Sequence, residues 1–290
     1  MSSKPRLKWA VLPALALLVF SLTGCSAKEL SRGYLPGVPG VTNHTDRITS
    51  LWVNSWIVLY GVGIIAWGLM FWAIIVYRRR KGDREIPPQL RYNMPIETLF
   101  TIVPFVLVVG FFWQTTVDMN EIEKPVSSDY KIEVIGKQWS WDFNYTNAKV
   151  YDSGLQLKDT KSEAELPVLY LPVGKSIEID LSSRDVIHSF WVIDFLYKKD
   201  VFPGSVNKMY FTPQVEGTYK GKCAELCGEY HSMMLFDVKV VKQAEFDAQM
   251  AKLKERGNIG KLPGLPEDKN NLNRNNNLPG NKKVSEGSEK

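Results

Sequence analysis

The sequence predicts two membrane-crossing helices followed by an all-β sandwich. Three observations carry this. Two apolar blocks of spanning length precede Asp118, a strongly basic loop separates them, and beyond Tyr130 the helical period gives way to short alternating strands punctuated by turn residues. The 290 residues suffice for one globular domain plus membrane segments. The net charge of +5 does not point to nucleic acid, because the basic residues gather beside a membrane block and in the tail.

Residues 1–24 read as a signal peptide. Lys4, Arg6 and Lys8 form a positive start, and Trp9 to Leu22 is an apolar core too short to span comfortably. Leu22-Thr23-Gly24-Cys25 resembles a bacterial lipobox, which implies a lipidated Cys25 as first residue of the mature chain. A plain secretory signal or an uncleaved anchor is the alternative. Residues 25–50 then form an external segment.

Leu51 to Tyr77 carries no charge and is long enough for about 30 Å of hydrocarbon. Trp52, Trp56, Trp72 and Tyr77 lie toward its ends, where aromatic rings favour the interface. The second span is 95–117, with Pro104 as a potential kink. Between them, residues 78–94 carry Arg78, Arg79, Arg80, Lys81, Arg84 and Arg91 against Asp83 and Glu85, which marks the cytoplasmic side. Asp118, Glu121 and Glu123 flank the far side. The expectation is a multi-pass protein of a bacterial cytoplasmic membrane, its 118–242 domain on the outer face. Glu97, a carboxyl group near the membrane edge, either snorkels or serves a proton or ion path.

In the external domain, Lys131 to Ile135, Ile177 to Leu181 and Phe236 to Val240 alternate polar and apolar residues. Turn signals at Asp152-Ser153-Gly154, Pro172-Val173-Gly174-Lys175, Pro203-Gly204 and Glu216-Gly217 punctuate them. This pattern predicts an antiparallel sandwich or barrel. Residues 243–256 form a terminal amphipathic helix. Residues 257–290, rich in Asn, Lys, Gly and Pro, lack the apolar residues for a core and read as disordered.

The chemistry concentrates in Cys223-Ala224-Glu225-Leu226-Cys227-Gly228-Glu229-Tyr230-His231-Ser232-Met233-Met234, with His188 upstream in Asp185-Val186-Ile187-His188-Ser189-Phe190-Trp191. The chain has only three cysteines and three histidines, so this clustering is informative. Cys, His and Met are the soft and borderline ligands that copper prefers. Two thiolates can bridge two coppers, leaving each metal one His and one weak axial ligand. Such a pair suits electron transfer, since one electron spread over two metals and two sulfurs changes each bond little. A Cys223–Cys227 disulfide and a zinc site are the competing readings. A haem c site is excluded because no Cys-x-x-Cys-His occurs. Met233 reads as a core residue, Met234 as the one at ligand spacing, and His44 as an ordinary surface histidine.

Cys-x-Glu-x-Cys-x-x-x-His-x-x-Met with an upstream Asp-Val-x-His-Ser resembles the copper A site of cytochrome c oxidase subunit II, and the resemblance runs from about Leu51 to Val241. It includes Gln138-Trp139-Ser140-Trp141 and Asp200-Val201-Phe202-Pro203-Gly204. The fold it implies is cupredoxin-like. The resemblance implies that Cys223 and Cys227 bridge two coppers, that His188 and His231 each bind one, and that Met234 and the Glu225 carbonyl are axial ligands. It further implies magnesium on the Glu225 side chain at the subunit I interface, electron arrival from a c-type cytochrome at Trp139, and a proton-path mouth at Glu97. Implied partners are subunit I, subunit III and the cytochrome; the implied activity is proton-pumping reduction of oxygen by the whole complex. Leu235, Ser140 and Gly228-Glu229-Tyr230 depart from the family pattern, without removing a ligand. A quinol oxidase subunit lacks the copper ligands, a copper chaperone needs no hairpin, and the copper A domain of nitrous oxide reductase has none. Mass spectrometry of the mature protein is expected to show lipidated Cys25 as the first residue; an unmodified Cys25, or residues preceding it, refutes that.

Overall fold

The computed structural model describes residues 26–80, 82, 86, 89–155 and 166–262. The expected signal peptide, Cys25 and most of the polar tail lie outside the described residues. The chain divides into two compact units, Met1–Leu35 with Thr49–Thr115 and Pro36–Ile48 with Thr116–Lys290.

The first unit opens with α1 (Ala27–Ser31), capped by a reciprocal pair in which Ser26 Oγ accepts from Glu29 N–H and the Glu29 carboxylate accepts from Ser26 N–H. It also holds most of α2 (Thr45–Val76) and α3 (Met94–Ile122), both long and apolar enough to cross a membrane. Each helix runs beyond its apolar block. The first turn of α2 and the last of α3 are polar and belong to the second unit, where Arg47 Nη1 meets Asp118 Oδ1 at 2.8 Å. Asp118 is buried by that arrangement. α3 continues through Pro104 without a break. At its start Asn93 Oδ1 accepts from Ile96 N–H while Glu97 Oε1 accepts from Asn93 N–H at 2.7 Å, so the Glu97 carboxylate caps the helix.

The second unit is a sandwich of two five-stranded sheets. One has the order β3 (Val150–Ser153), β2 (Ser140–Tyr145), β1 (Tyr130–Lys137), β5 (Ile177–Ser183), β8 (Asn207–Phe211). The other runs β4 (Val168–Pro172), β10 (Leu235–Val241), β9 (Gly217–Cys223), β6 (His188–Val192), β7 (Tyr197–Val201). The antiparallel expectation needs correction, because β1 pairs with β5 and β4 with β10 in parallel. Alternation reports which face of a strand is buried but not its direction. Long connections through intervening strands supply the crossovers that parallel pairing requires.

Trp141, Phe143, Phe190 and Phe236 fill the space between the sheets, with the Phe190 and Phe236 rings stacked at 4.7 Å. Gly221 on β9 lets Phe236 lie flat: a Cβ there would come within 2.1 Å of the ring. Strand β2 is buried along its whole length, which hides the period-two signal. Its Asp142 is fully buried between Lys137 Nζ at 2.7 Å and an Arg184 nitrogen at 2.8 Å. Helix α4 (Gln243–Glu255) turns Phe246, Met250 and Leu253 inward. The residues just after it belong by composition to the tail but return as a strap. Asn258 O accepts from Tyr151 N–H, Gly260 N–H reaches Lys149 O, and Leu262 N–H reaches Asn144 Oδ1. His44 is also corrected: it is buried, with Nε2 2.9 Å from Tyr210 O, and burial holds its pKa below the ordinary value. A lone histidine in a polar segment gives no sequence signal of the strand it will meet.

Gly221→Ala is expected to destabilise the protein by roughly 1–3 kcal/mol in chemical denaturation, because Phe236 must leave its place. A second test uses the charge ladder on the outer face. Asp180 lies 2.7 Å from Lys131 and 2.9 Å from Lys208. Burial works to raise its pKa, but the two ammonium groups outweigh burial and hold it below 3.8. Its stabilising contribution is therefore present above pH 3.8 and lost as pH falls through the lowered native value. Asp180→Asn is expected to cost about 1 kcal/mol at neutral pH, with the difference from wild type vanishing in acid.

Candidate metal centre

Twelve residues from Cys223 to Met234 bridge β9 and β10, and the mouth of this loop is closed by Cys223 N–H donating to Met234 O at 3.0 Å. β6 pairs with β9 so that Phe190 faces Cys223, and Ala224 N–H donates to Ser189 O. This register sets His188, the first residue of β6, beside the loop. Gly136 on β1 leaves room for the imidazole: a Cβ there would lie 2.8 Å from His188 Cδ2. His231 begins a single 3-10 turn (His231–Met233) that delivers Met234, fully buried, beneath the sulfurs. Met233 is half-buried and not a core residue.

The two sulfurs stand 3.8 Å apart, and both cysteines are free and buried. No disulfide joins them in this arrangement. The remaining donors fall into two groups. Around Cys223 Sγ lie His188 Nδ1 at 3.9 Å and Glu225 O at 3.2 Å. Around Cys227 Sγ lie His231 Nδ1 at 3.5 Å and Met234 Sδ at 3.8 Å. His188, Cys223 and Cys227 form a tight metal-ligating cluster. Two thiols, two imidazoles, a thioether and a carbonyl exceed the four donors of a structural zinc site. Thiol, imidazole and thioether are the donors that copper prefers.

Asp185 sets up this donor set. Its Oδ1 lies 2.7 Å from His188 Nε2, which leaves Nδ1 facing the sulfurs. Burial works to raise the Asp185 pKa, yet hydrogen bonds from His188 and from the Gln138 and Val186 N–H groups prevail and keep it low. For His188 burial works downward, but the Asp185 carboxylate and Cys223 raise its pKa. The two thiols lie close enough to interact, and their contact lowers the pKa of Cys223 and raises that of Cys227.

A family model described as cytochrome c oxidase subunit II, periplasmic domain, matches residues 130–241. The chain is 40% identical to "Probable cytochrome c oxidase subunit 2" of Streptomyces avermitilis, over 89% of this chain and 91% of that one. The chain belongs to the cytochrome c oxidase subunit 2 family. "Cytochrome c oxidase subunit 2" of Mycobacterium bovis is 32% identical over 83% of this chain and 80% of that one. A crystal structure of the periplasmic domain of subunit II of cytochrome oxidase from Bradyrhizobium japonicum is 30% identical, covers 45% of this chain and 97% of that one, and has a TM-score of 0.42. The sandwich is the part of the chain that the periplasmic-domain model of this family matches, and the His, Cys and Met cluster is its candidate copper site.

The other residues singled out in the sequence sit as follows. Trp139 is half-buried beside the copper loop, its ring 5.0 Å from that of Tyr230. Glu225 turns its carbonyl toward Cys223 and is itself exposed. Glu97 lies in the other unit, at the start of α3. Sequence reasoning missed Asp185 and Gln138 as members of the site. Gln138 Nε2 donates to Cys227 O at 2.8 Å, and Gln138 N–H donates to Asp185 Oδ2 at 2.7 Å, so this residue ties both ligand-bearing segments together. Asp185 had a signal: it stands three residues before His188 within the motif already recognised.

Proposed function

We propose that this subunit accepts electrons one at a time from a c-type cytochrome and passes them to haem in subunit I of a proton-pumping oxidase, where oxygen is reduced to water. The observation that carries the reading is the division of four further donors into two matched pairs, one around each of the paired sulfurs. When bound, a dinuclear copper centre supplies a one-electron couple with its charge shared over two metals and two sulfurs.

The chain's own residues prepare the site. Asp185 holds His188 in the tautomer with Nδ1 available, and the closed mouth of the loop fixes the spacing of Cys223 and Met234. Both cysteines and Met234 are buried, which excludes water from the sulfurs. Donors already near their final places need little rearrangement. Metal uptake releases the thiol protons of the cysteines that bind it.

The remaining assignments belong to the same proposal. Trp139, packed on the copper loop, is where electrons arrive. The exposed Glu225 carboxylate holds magnesium at the subunit I interface. Glu97, held at the head of α3 by Asn93 N–H, marks the mouth of a proton path. The chain crosses the membrane twice with its copper domain outside, as the basic loop residues Arg78, Arg79, Arg80 and Arg91 support. Cys25 carries the lipid. Subunits I and III and the cytochrome are the partners.

Cys227→Ser is the direct test. Purified oxidase carrying it is expected to lose the second copper and at least a hundredfold in cytochrome c oxidation, on the order of what removal of an essential group costs. Unchanged oxidation with a full copper count defeats the relay reading.

A further inference from the structure

Trp139 is held in an unusual way for a residue through which charge passes. Its ring nitrogen is enclosed by protein yet has no hydrogen-bond partner among the described residues. Nothing polar therefore fixes the rotation of the indole, and packing must do so. The ring packs against the core, and two neighbours from the copper loop add to that packing. Gly228 lies against one edge: a Cβ there would sit 3.1 Å from Trp139 Cζ2 and Nε1, and its φ of +130° is one that side chains rarely adopt. Tyr230 meets the ring edge-to-face, with centroids 5.0 Å apart and planes at 67°.

Both neighbours belong to the copper loop, and Tyr230 is joined by one peptide bond to the ligand His231. Gln138, the residue before Trp139, is anchored to Cys227 O and to Asp185, so the backbone on the tryptophan side is fixed as well. The indole thus sits between a fixed backbone and a side chain borne by the ligand loop. The backbone fixes where the ring begins; Tyr230 and Gly228, with the core the ring packs against, decide where it points.

We propose that Tyr230 is a positioning residue that holds the Trp139 indole against the copper loop and thereby sets the rate at which charge passes from a docked cytochrome. It acts through its ring, not its hydroxyl, because the contact is edge-to-face. The inference rests on the reading of Trp139 given above.

The test uses the intact purified oxidase, with reduced mitochondrial cytochrome c as donor and dithionite as a small reductant. Tyr230→Ala is expected to slow reduction of the copper centre by cytochrome c between about twofold and tenfold, the population factor that one edge-to-face contact represents. KM for the cytochrome, copper content, the paramagnetic resonance spectrum and the rate with dithionite stay at wild-type values. Tyr230→Phe keeps the ring and behaves as wild type. Hydroxyl-radical footprinting supplies a readout independent of activity: the Trp139 peptide labels more heavily in Tyr230→Ala than in Tyr230→Phe. Trp139→Leu separates the two readings. If it leaves the cytochrome-driven rate intact, electron arrival at Trp139 is wrong. If it slows that rate while Tyr230→Ala does not, only the role of Tyr230 is refuted. Equal losses in Tyr230→Phe and Tyr230→Ala, or loss of copper in Tyr230→Ala, also overturn it.

Discussion

The hydrogen bond from Cys223 N–H to Met234 O governs this molecule's site. It joins the last residue of one strand to the residue before the next, so twelve residues rich in donors become a closed ring on a rigid hairpin. Without it the two sulfurs, the thioether and His231 would be carried on a long flexible segment. With it, their mutual distances are properties of the sheet. The Trp141 indole N–H also donates to Met234 O, at 3.4 Å, which links the closure to the centre of the core.

The same logic extends outward from the loop. His188 arrives from a different strand, and its register is fixed by the pairing of β6 with β9. Asp185 and Gln138 then tie the two ligand-bearing segments to each other and to the turn that carries Trp139. The site is thus built by elements far apart in sequence. The orienting hydrogen bonds are made by side chains that would never touch a metal, an arrangement that fixes ring orientation before any ion is present.

Much of this was legible in the sequence, and the exceptions share a cause. The apolar blocks around Trp67 and Val108 declare their helices because a bilayer demands length and lack of charge. The candidate donor cluster stands out because Cys and His, three of each, are scarce and lie close together with Met234. Alternation placed β1, β5 and β10, whose two faces see different surroundings. It was silent on β2, where Asp142 and Asn144 are as buried as Trp141 and Phe143 because both faces are covered. It was silent also on the parallel pairings, because strand direction is set by long-range connection. Buried His44 and the strap escaped for a related reason: each is fixed by a partner remote in sequence, Tyr210 for one and Tyr151 with Asn144 for the other.

That strap has a consequence for life at a crowded surface. β3 is the margin of its sheet, and Asn258 to Gly260 occupies backbone groups that would otherwise face outward unpaired. Proteins confined to a bilayer meet one another in two dimensions, where an open strand would recruit a neighbouring copy readily. By folding its own chain across that margin, the subunit denies strangers a template, leaving docking to side chains and shape.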